Sequence, residues 1–326
     1  MNRRDTILGV LALGAAAPLA ARAQERRRQR IGMLWVSPEP LMKPYLQAIL
    51  AGLRDHGYVA GENVDIDIRY AGGQLDRLPA LADELLALKP DVVLGVDEVV
   101  LAMKRKTSTV PIVFPASIDP VLEGLVESLA RPGGNVTGLS FLLHSMAAKH
   151  VELLADLLPK GSRFAVLNDA AIPRRAETYE AVVREAAGGR GLTPLVFRVR
   201  EEKDIDQAFA DLKRQRPDGI VIATTARLFA FRPRIIEHAR QLGLPSVSAL
   251  PGFADAGGTI FYGANFLDAY RYAAKYVARI LKGAKPAELP VEQFSRYEFV
   301  INLRAAKALG LTIPRETLLR ADRVIE

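Results

Sequence analysis

The sequence predicts an α/β protein made of two Rossmann-like parallel-sheet lobes that face each other across a central cleft. Three observations point there. From Ile31 onward, short apolar runs alternate with amphipathic stretches, the pattern of a parallel sheet covered by helices. The alternation lasts long enough for two domains of ordinary size. The second half also repeats landmarks of the first in the same order. Arg30-Ile-Gly-Met-Leu parallels Arg163-Phe-Ala-Val-Leu, and Lys89-Pro-Asp-Val-Val parallels Arg216-Pro-Asp-Gly-Ile. Val110-Pro-Ile-Val parallels Leu244-Pro-Ser-Val, and Gly133-Gly-Asn-Val-Thr-Gly parallels Gly257-Gly-Thr-Ile-Phe-Tyr-Gly. Each match alone is common in α/β proteins; four in one order imply two similar lobes.

The elements follow in turn. Ile31–Val36 carries no charge, as expected of a strand buried on both faces. In Pro44–His56, Tyr45, Ile49 and Leu53 fall on one helical face, and Gly57 ends it. Val64–Arg69 alternates Val/Ile with Asp as a strand, and Leu78–Leu88 returns to helical spacing before Pro90. A strand at Val92–Gly95, a helix around Val100–Thr107 and a strand at Val110–Phe114 come next. The later strands are Arg163–Leu167, Pro194–Val199, Gly219–Ala223, Pro245–Ser248 and Thr259–Tyr262. Helical stretches lie at Arg174–Ala187, Ile205–Gln215, Arg234–Leu242 and Leu267–Leu281.

The N-terminus reads as a cleavable targeting segment over residues 1–23. Arg3 and Arg4 precede an apolar run from Ile7 to Ala17, and Ala21-Arg22-Ala23 places small residues where a signal peptidase cleaves. The run is too short to span a bilayer, which takes about 20 residues; a buried N-terminal helix is the competing reading. The Arg pair suits the twin-arginine route, but Thr6 stands where that signal prefers a bulky apolar residue, so the general secretory route stays open. The net charge of +7 falls slightly when this segment is removed. The basic residues at Arg26–Arg30 read as a solvated mature N-terminus. No basic helix is interleaved with aromatics, so nucleic acid is not an expected partner. The chain has no cysteine, which excludes thiolate metal sites, thiol catalysis and a lipid anchor on an N-terminal cysteine.

A family likeness runs almost end to end. It is carried by Gly52-Leu-Arg-Asp-His-Gly-Tyr-Val-Ala-Gly-Glu-Asn-Val, Leu75-Asp-Arg-Leu-Pro-Ala-Leu-Ala, Val110-Pro-Ile-Val-Phe and Asp119-Pro-Val-Leu-Glu-Gly-Leu-Val. Further on come Leu129-Ala-Arg-Pro-Gly-Gly-Asn-Val-Thr-Gly-Leu, Ile280-Leu-Lys-Gly-Ala-Lys-Pro-Ala-Glu-Leu-Pro-Val-Glu and Val300-Ile-Asn-Leu-Arg-Ala-Ala-Lys-Ala-Leu-Gly-Leu-Thr-Ile-Pro. The chain resembles the periplasmic substrate-binding proteins of ABC importers, in the group related to tryptophan- and aromatic-amino-acid-binding proteins. The resemblance implies a type I periplasmic-binding-protein fold with three crossings between lobes: after Val136–Ser140, near Tyr262–Asn265 and near Phe294–Ile301. The expected lobes are 28–140 plus 264–292 and 141–263 plus 293–326, closing like a hinge. It further implies a monomer in the periplasm that delivers an amino-acid-like, aromatic or carboxylate solute to a permease. No cofactor is expected.

In open α/β sheets ligands bind beyond the carboxyl ends of the strands, so the candidate ligand residues stand at strand ends. Trp35, Ser37 and Glu39 follow the first strand; Trp35, the single tryptophan, either stacks on a ligand ring or packs in the core. Asp97 and Glu98 follow the third strand. Related proteins tend to carry small hydroxyl residues there, which suit a ligand carboxylate, so the two acids depart from the pattern. They either stabilise a helix N-terminus or pair with a ligand ammonium or hydroxyl. Ser117 and Asp119 follow the fourth strand, and Asp119 serves as a helix cap, a ligand contact or both. The second lobe contributes Asn168, Asp169, Thr224, Thr225 and Ser248, with Tyr262 at the second crossing. Phe229 and Phe231 either line the lip or pack.

Catalytic signatures are missing from the sequence. His56, His144, His150 and His238 form no close metal-ligand pair, and no Gly-x-Gly-x-x-Gly follows the first strand, nor is there a phosphate loop or Gly-x-Ser-x-Gly. The sequence is therefore read as a binding protein. A ligand-sensing subunit for a receptor is the alternative, and a hydrolase using Asp97 and Glu98 is a third reading that adjacent residues serve poorly. A transcriptional regulator of the same core fold would need a DNA-reading helix-turn-helix where the targeting segment stands.

Overall fold

The computed structural model describes residues 28–141 and 144–326; the expected targeting segment, residues 1–23, lies outside them. In the first half, β1 (Gln29–Trp35), α1 (Glu39–Asp55), β2 (Val64–Tyr70), α2 (Leu78–Ala87), β3 (Val92–Leu94), α3 (Asp97–Lys104), β4 (Ile112–Ser117) and β5 (Val136–Ser140) alternate strand and helix. After α4 (His144–Ala155), β6 (Arg163–Asp169), α5 (Pro173–Gly188), β7 (Thr193–Val199), α6 (Glu202–Gln215), β8 (Gly219–Ile222), α7 (Ala226–Ala230), α8 (Arg232–Gln241), β9 (Ser246–Ser248) and β10 (Ile260–Ala264) do the same. The first sheet runs β2-β1-β3-β4-β5 and the second β7-β6-β8-β9-β10, the same order with every pairing parallel.

The repeated landmarks have a physical reason. Lys89 and Arg216 are the two non-glycine residues with left-handed backbone among those described, at φ 53° and 48°. Each precedes the Pro-Asp that turns a helix end into a strand. Asp91 then accepts a hydrogen bond from the Arg30 N–H at 2.7 Å, and Asp218 from the Arg163 N–H at 2.9 Å. The guanidinium groups of Arg30 and Arg163 donate to Leu88 O and Gln215 O, carbonyls at the ends of the preceding helices. Both lobes therefore start their first and third strands with one device, which satisfies orphan helix-end carbonyls.

The chain then returns to the first lobe. α9 (Phe266–Leu281) packs on α1 and β4, so closely that a Cβ on Gly52 would lie 2.2 Å from Arg271 O. β11 (Glu292–Gln293) joins β5 at the edge of the first sheet. The chain crosses back into the second sheet as β12 (Tyr297–Asn302), antiparallel to β10, and after α10 (Leu303–Ala308) and α11 (Arg315–Leu319) it ends as β13 (Arg323–Ile325). The three crossings lie side by side: Phe294 N–H donates to Ser140 O, and Asn265 N–H to Arg296 O. Phe141 sits 4.8 Å from Phe266 and 5.7 Å from Phe294, ring centre to ring centre, so one aromatic from each crossing packs at the hinge.

Two boundaries differ from the sequence expectation near the site. α1 begins at Glu39, not Pro44, because Pro40 occupies its first turn, where a missing N–H costs nothing, and Pro44 follows within the helix. α3 begins at Asp97, which places both acids inside its first turn. No helix among the described residues is long and apolar enough to cross a membrane.

Candidate ligand site between the lobes

A cavity opens between the carboxyl ends of the two sheets, where ligands of open α/β sheets bind. Trp35, Ser37, Asp97, Glu98, Ser117, Thr224 and Thr225 line it, together with Phe229. The wall is strongly aromatic: Trp35, Tyr45, Phe141, Phe229, Phe266 and Tyr270 come from both lobes and the crossings. Tyr45 of α1 meets Phe229 of α7 edge to face at 5.8 Å, and the Ser37 hydroxyl donates to Ala226 O at 3.2 Å. These contacts bridge the lobes, so the cleft is closed. Trp35 combines its two readings, lining the cavity while packing against Tyr70 at 5.4 Å. Burial pushes the Tyr45 hydroxyl up to about 12 and raises that of Tyr270, so both are neutral hydroxyls.

The polar end centres on Arg175, near the N-terminus of α5. Its Nε and Nη2 donate to both oxygens of Glu123 at 2.6 and 2.7 Å. Nη2 also reaches Asp97 Oδ2 at 3.2 Å, and Nη1 reaches Glu98 Oε1 at 3.1 Å. One guanidinium of the second lobe thus holds three carboxylates of the first, all nearly excluded from water. Burial, opposed by Arg175 and reinforced by Glu98, pushes Asp97 up to about 6. Burial and the Asp97 charge, against Arg175, push Glu123 up to about 9. Burial alone would lower Arg175, but Glu98, Asp97 and Glu123 raise it, so it stays charged. Asp97 Oδ1, Ser117 Oγ and Thr224 Oγ1 are buried without a hydrogen-bond partner; the nearby Ser117 hydroxyl eases Asp97 without reaching hydrogen-bond geometry. Buried polar atoms are normally paired, and these three belong to residues that line one cavity.

The remaining candidates are placed elsewhere. Asp119 Oδ1 accepts the Leu122 N–H at 2.9 Å and caps a turn where a helix was expected. Asp169 accepts from Ala171 N–H and the Thr225 hydroxyl and faces Arg227 at 3.4 Å, which fixes Thr225 as the cap of α7. Ser248 donates to Ile222 O and accepts from Leu250 N–H, satisfying backbone at its strand end. Tyr262 stacks on Tyr297, and its carbonyl accepts from His150 Nε2. Asn168 donates to Ala176 O and Glu180, and borders a smaller chamber with His150 and Tyr179. Arg175 and Glu123 were not among the sequence candidates. A signal existed: Arg174-Arg175 opens a helix whose N-terminal dipole disfavours cations, and such an exception calls for facing acids.

Among the described residues no group of His, Asp and Glu is arranged to hold a metal ion.

The fold and site define a two-lobed binding protein of the type I periplasmic class, closed over an aromatic cavity. Residues 31–325 match the model of the ABC transporter substrate binding protein family, and the chain belongs to that family. It is 23% identical over 292 residues to the tyrosine-binding protein of Clostridioides difficile, covering 89% of this chain and 83% of the other. The structure of an ABC domain of Streptococcus pneumonia in complex with L-Trp superposes with a TM-score of 0.83 at 27% identity, over 91% of this chain and all of that one. A conserved domain protein from Vibrio cholerae gives 0.84 at 28% identity over 91% of this chain and 100% of the other. Proteins of this family bind small molecules extracytoplasmically and work with ABC transporters, so this chain captures a solute for import.

Proposed function

We propose that the solute is an aromatic compound, held with its ring among Trp35, Tyr45, Phe229 and Phe266 and its polar end at Asp97, Ser117 and Thr224. The observation that carries this is the coincidence of six aromatic side chains with three unpartnered buried polar atoms in one cavity. The aromatic ligands of the relatives, tyrosine and L-Trp, support it. The lobes move as 28–140 with 264–292 and 141–263 with 293–326, hinged at the aromatic triplet Phe141, Phe266 and Phe294. Closure is reported to a permease by both lobes of a monomer exported by its N-terminal segment. Binding is the whole activity: the buried acids are held by Arg175, where they brace the lobes and activate no water.

A melting-temperature screen tests the reading, with aromatic amines, aromatic amino acids and aromatic acids set against aldoses. At least one aromatic class should raise the melting temperature and shift Trp35 emission. Stabilisation by an aldose alone, or by none of them, would overturn it.

A further inference from the structure

We propose that the cavity selects an aromatic solute whose polar end is a protonated amine with no carboxylate beside it. This rests on the aromatic reading above and narrows it.

The charge of the wall comes first. Asp97, Glu98 and Glu123 converge on one guanidinium, and even with Glu123 keeping its proton up to about 9 the other two acids outnumber the cation. Asp169 and Arg227 stand beside them as a further pair and leave the excess in place. Arg175 is the one cation lining the cavity among the described residues. A guanidinium has five N–H donors, and Arg175 directs Nε, Nη1 and Nη2 at carboxylates. Little of it is free to receive a ligand carboxylate. The N-terminus of α3, which could otherwise hold an anion, carries Asp97 and Glu98 in its first turn. The guanidinium and the helix N-terminus, the two charged or dipolar devices in this wall that would hold an anion, are already engaged by side-chain acids.

The unpartnered atoms indicate what the wall accepts. Asp97 is 4% exposed; its Oδ2 is engaged by Arg175 and Ile118 N–H, while Oδ1 has no partner. Ser117, 1% exposed, presents an unpartnered Oγ to the same cavity. A carboxylate oxygen is acceptor-only and an ammonium is donor-only with three N–H groups. One ammonium can therefore satisfy Asp97 Oδ1 and Ser117 Oγ together and offset the excess negative charge. A carboxylate placed there would face like charge in a low-dielectric site and leave Asp97 Oδ1 unsatisfied.

The test uses three probes with the same ring: 2-phenylethylamine, L-phenylalanine and 3-phenylpropanoate. They are titrated calorimetrically at neutral pH into the mature chain, freed of co-purified solute by reversible unfolding. The amine should bind at least about tenfold more tightly than the amino acid and about a hundredfold more tightly than the acid. Asp97→Asn, which keeps a carbonyl oxygen for Arg175, should weaken the amine by about tenfold or more and narrow its lead over the amino acid. Its melting temperature reports whether the fold is intact. If the amino acid or the acid binds as tightly as the amine, the amine preference is wrong and the aromatic reading stands. If none of the three binds, both fall. An Asn variant that is folded and keeps the full preference would also overturn the assignment to Asp97.

Discussion

Replacing Arg175 by Gln removes the charge that joins the lobes while keeping much of the side chain's length. Removing one partner of a buried ion pair costs about 3–5 kcal/mol, because the other charge is left uncompensated. Here Asp97, Glu98 and Glu123 all lose their partner, and all belong to the first lobe. Each lobe has its own sheet, and opening the cleft returns the acids to water. The cost should therefore fall on closure and spare the folding of each lobe. At about 1.4 kcal/mol per tenfold, closure becomes less favourable by roughly a hundredfold to a few thousandfold. Small-angle scattering of ligand-free Arg175→Gln should show a larger radius of gyration than the parent, with only a modest change in melting temperature. Lowering the pH below about 6, where Asp97 joins Glu123, already protonated below about 9, in the neutral form, should restore the compact form. Identical scattering from variant and parent at neutral pH would refute the view that this cluster holds the lobes together.

Other outcomes follow from the same structure. Glu123 has its folded-state value raised from 4.5 to about 9, so the native state binds more protons than the unfolded chain between these values. Its contribution is present at low pH and is lost as the pH rises toward 9. His150, lowered from 6.5 to about 4 by burial, acts oppositely, but only below 6.5. The ligand-free melting temperature should therefore fall between pH 6.5 and 9; a rise over that window would contradict the account. Gly138→Ala should cost about 3 kcal/mol or more in urea unfolding, since φ is +156° and a Cβ would lie 2.0 Å from Phe114 O. A loss below about 1 kcal/mol would show that β4 and β5 separate easily.

Much of the fold was legible because it rests on local pattern. The Pro-Asp pairs at Asp91 and Asp218 could be matched by eye, and the structure shows why: both hold the first strand of their sheet by the same hydrogen bond. Short edge elements were harder, since β11 has only two residues and β13 three, too few to show alternation. Strand-end logic found Trp35, Ser37, Asp97, Glu98, Ser117, Thr224 and Thr225 at the cavity. The same logic named Ser248, whose hydroxyl turns inward to backbone groups, and Tyr262, whose ring stacks on Tyr297 instead. Nothing in local sequence separates a strand-end serine that turns inward from one that faces a cleft. Arg175 escaped because its partners lie 52 to 78 positions away, and only closure brings them together.

Identification of the solute that leaves with the protein tests the central claim most directly. The chain would be purified from the exported fraction of its own host, unfolded, and the released small molecules resolved by mass spectrometry. The expected result is one aromatic compound in near-stoichiometric amount, and by the charge of the wall an aromatic amine. Release of a sugar or an aliphatic acid in that amount would contradict the account.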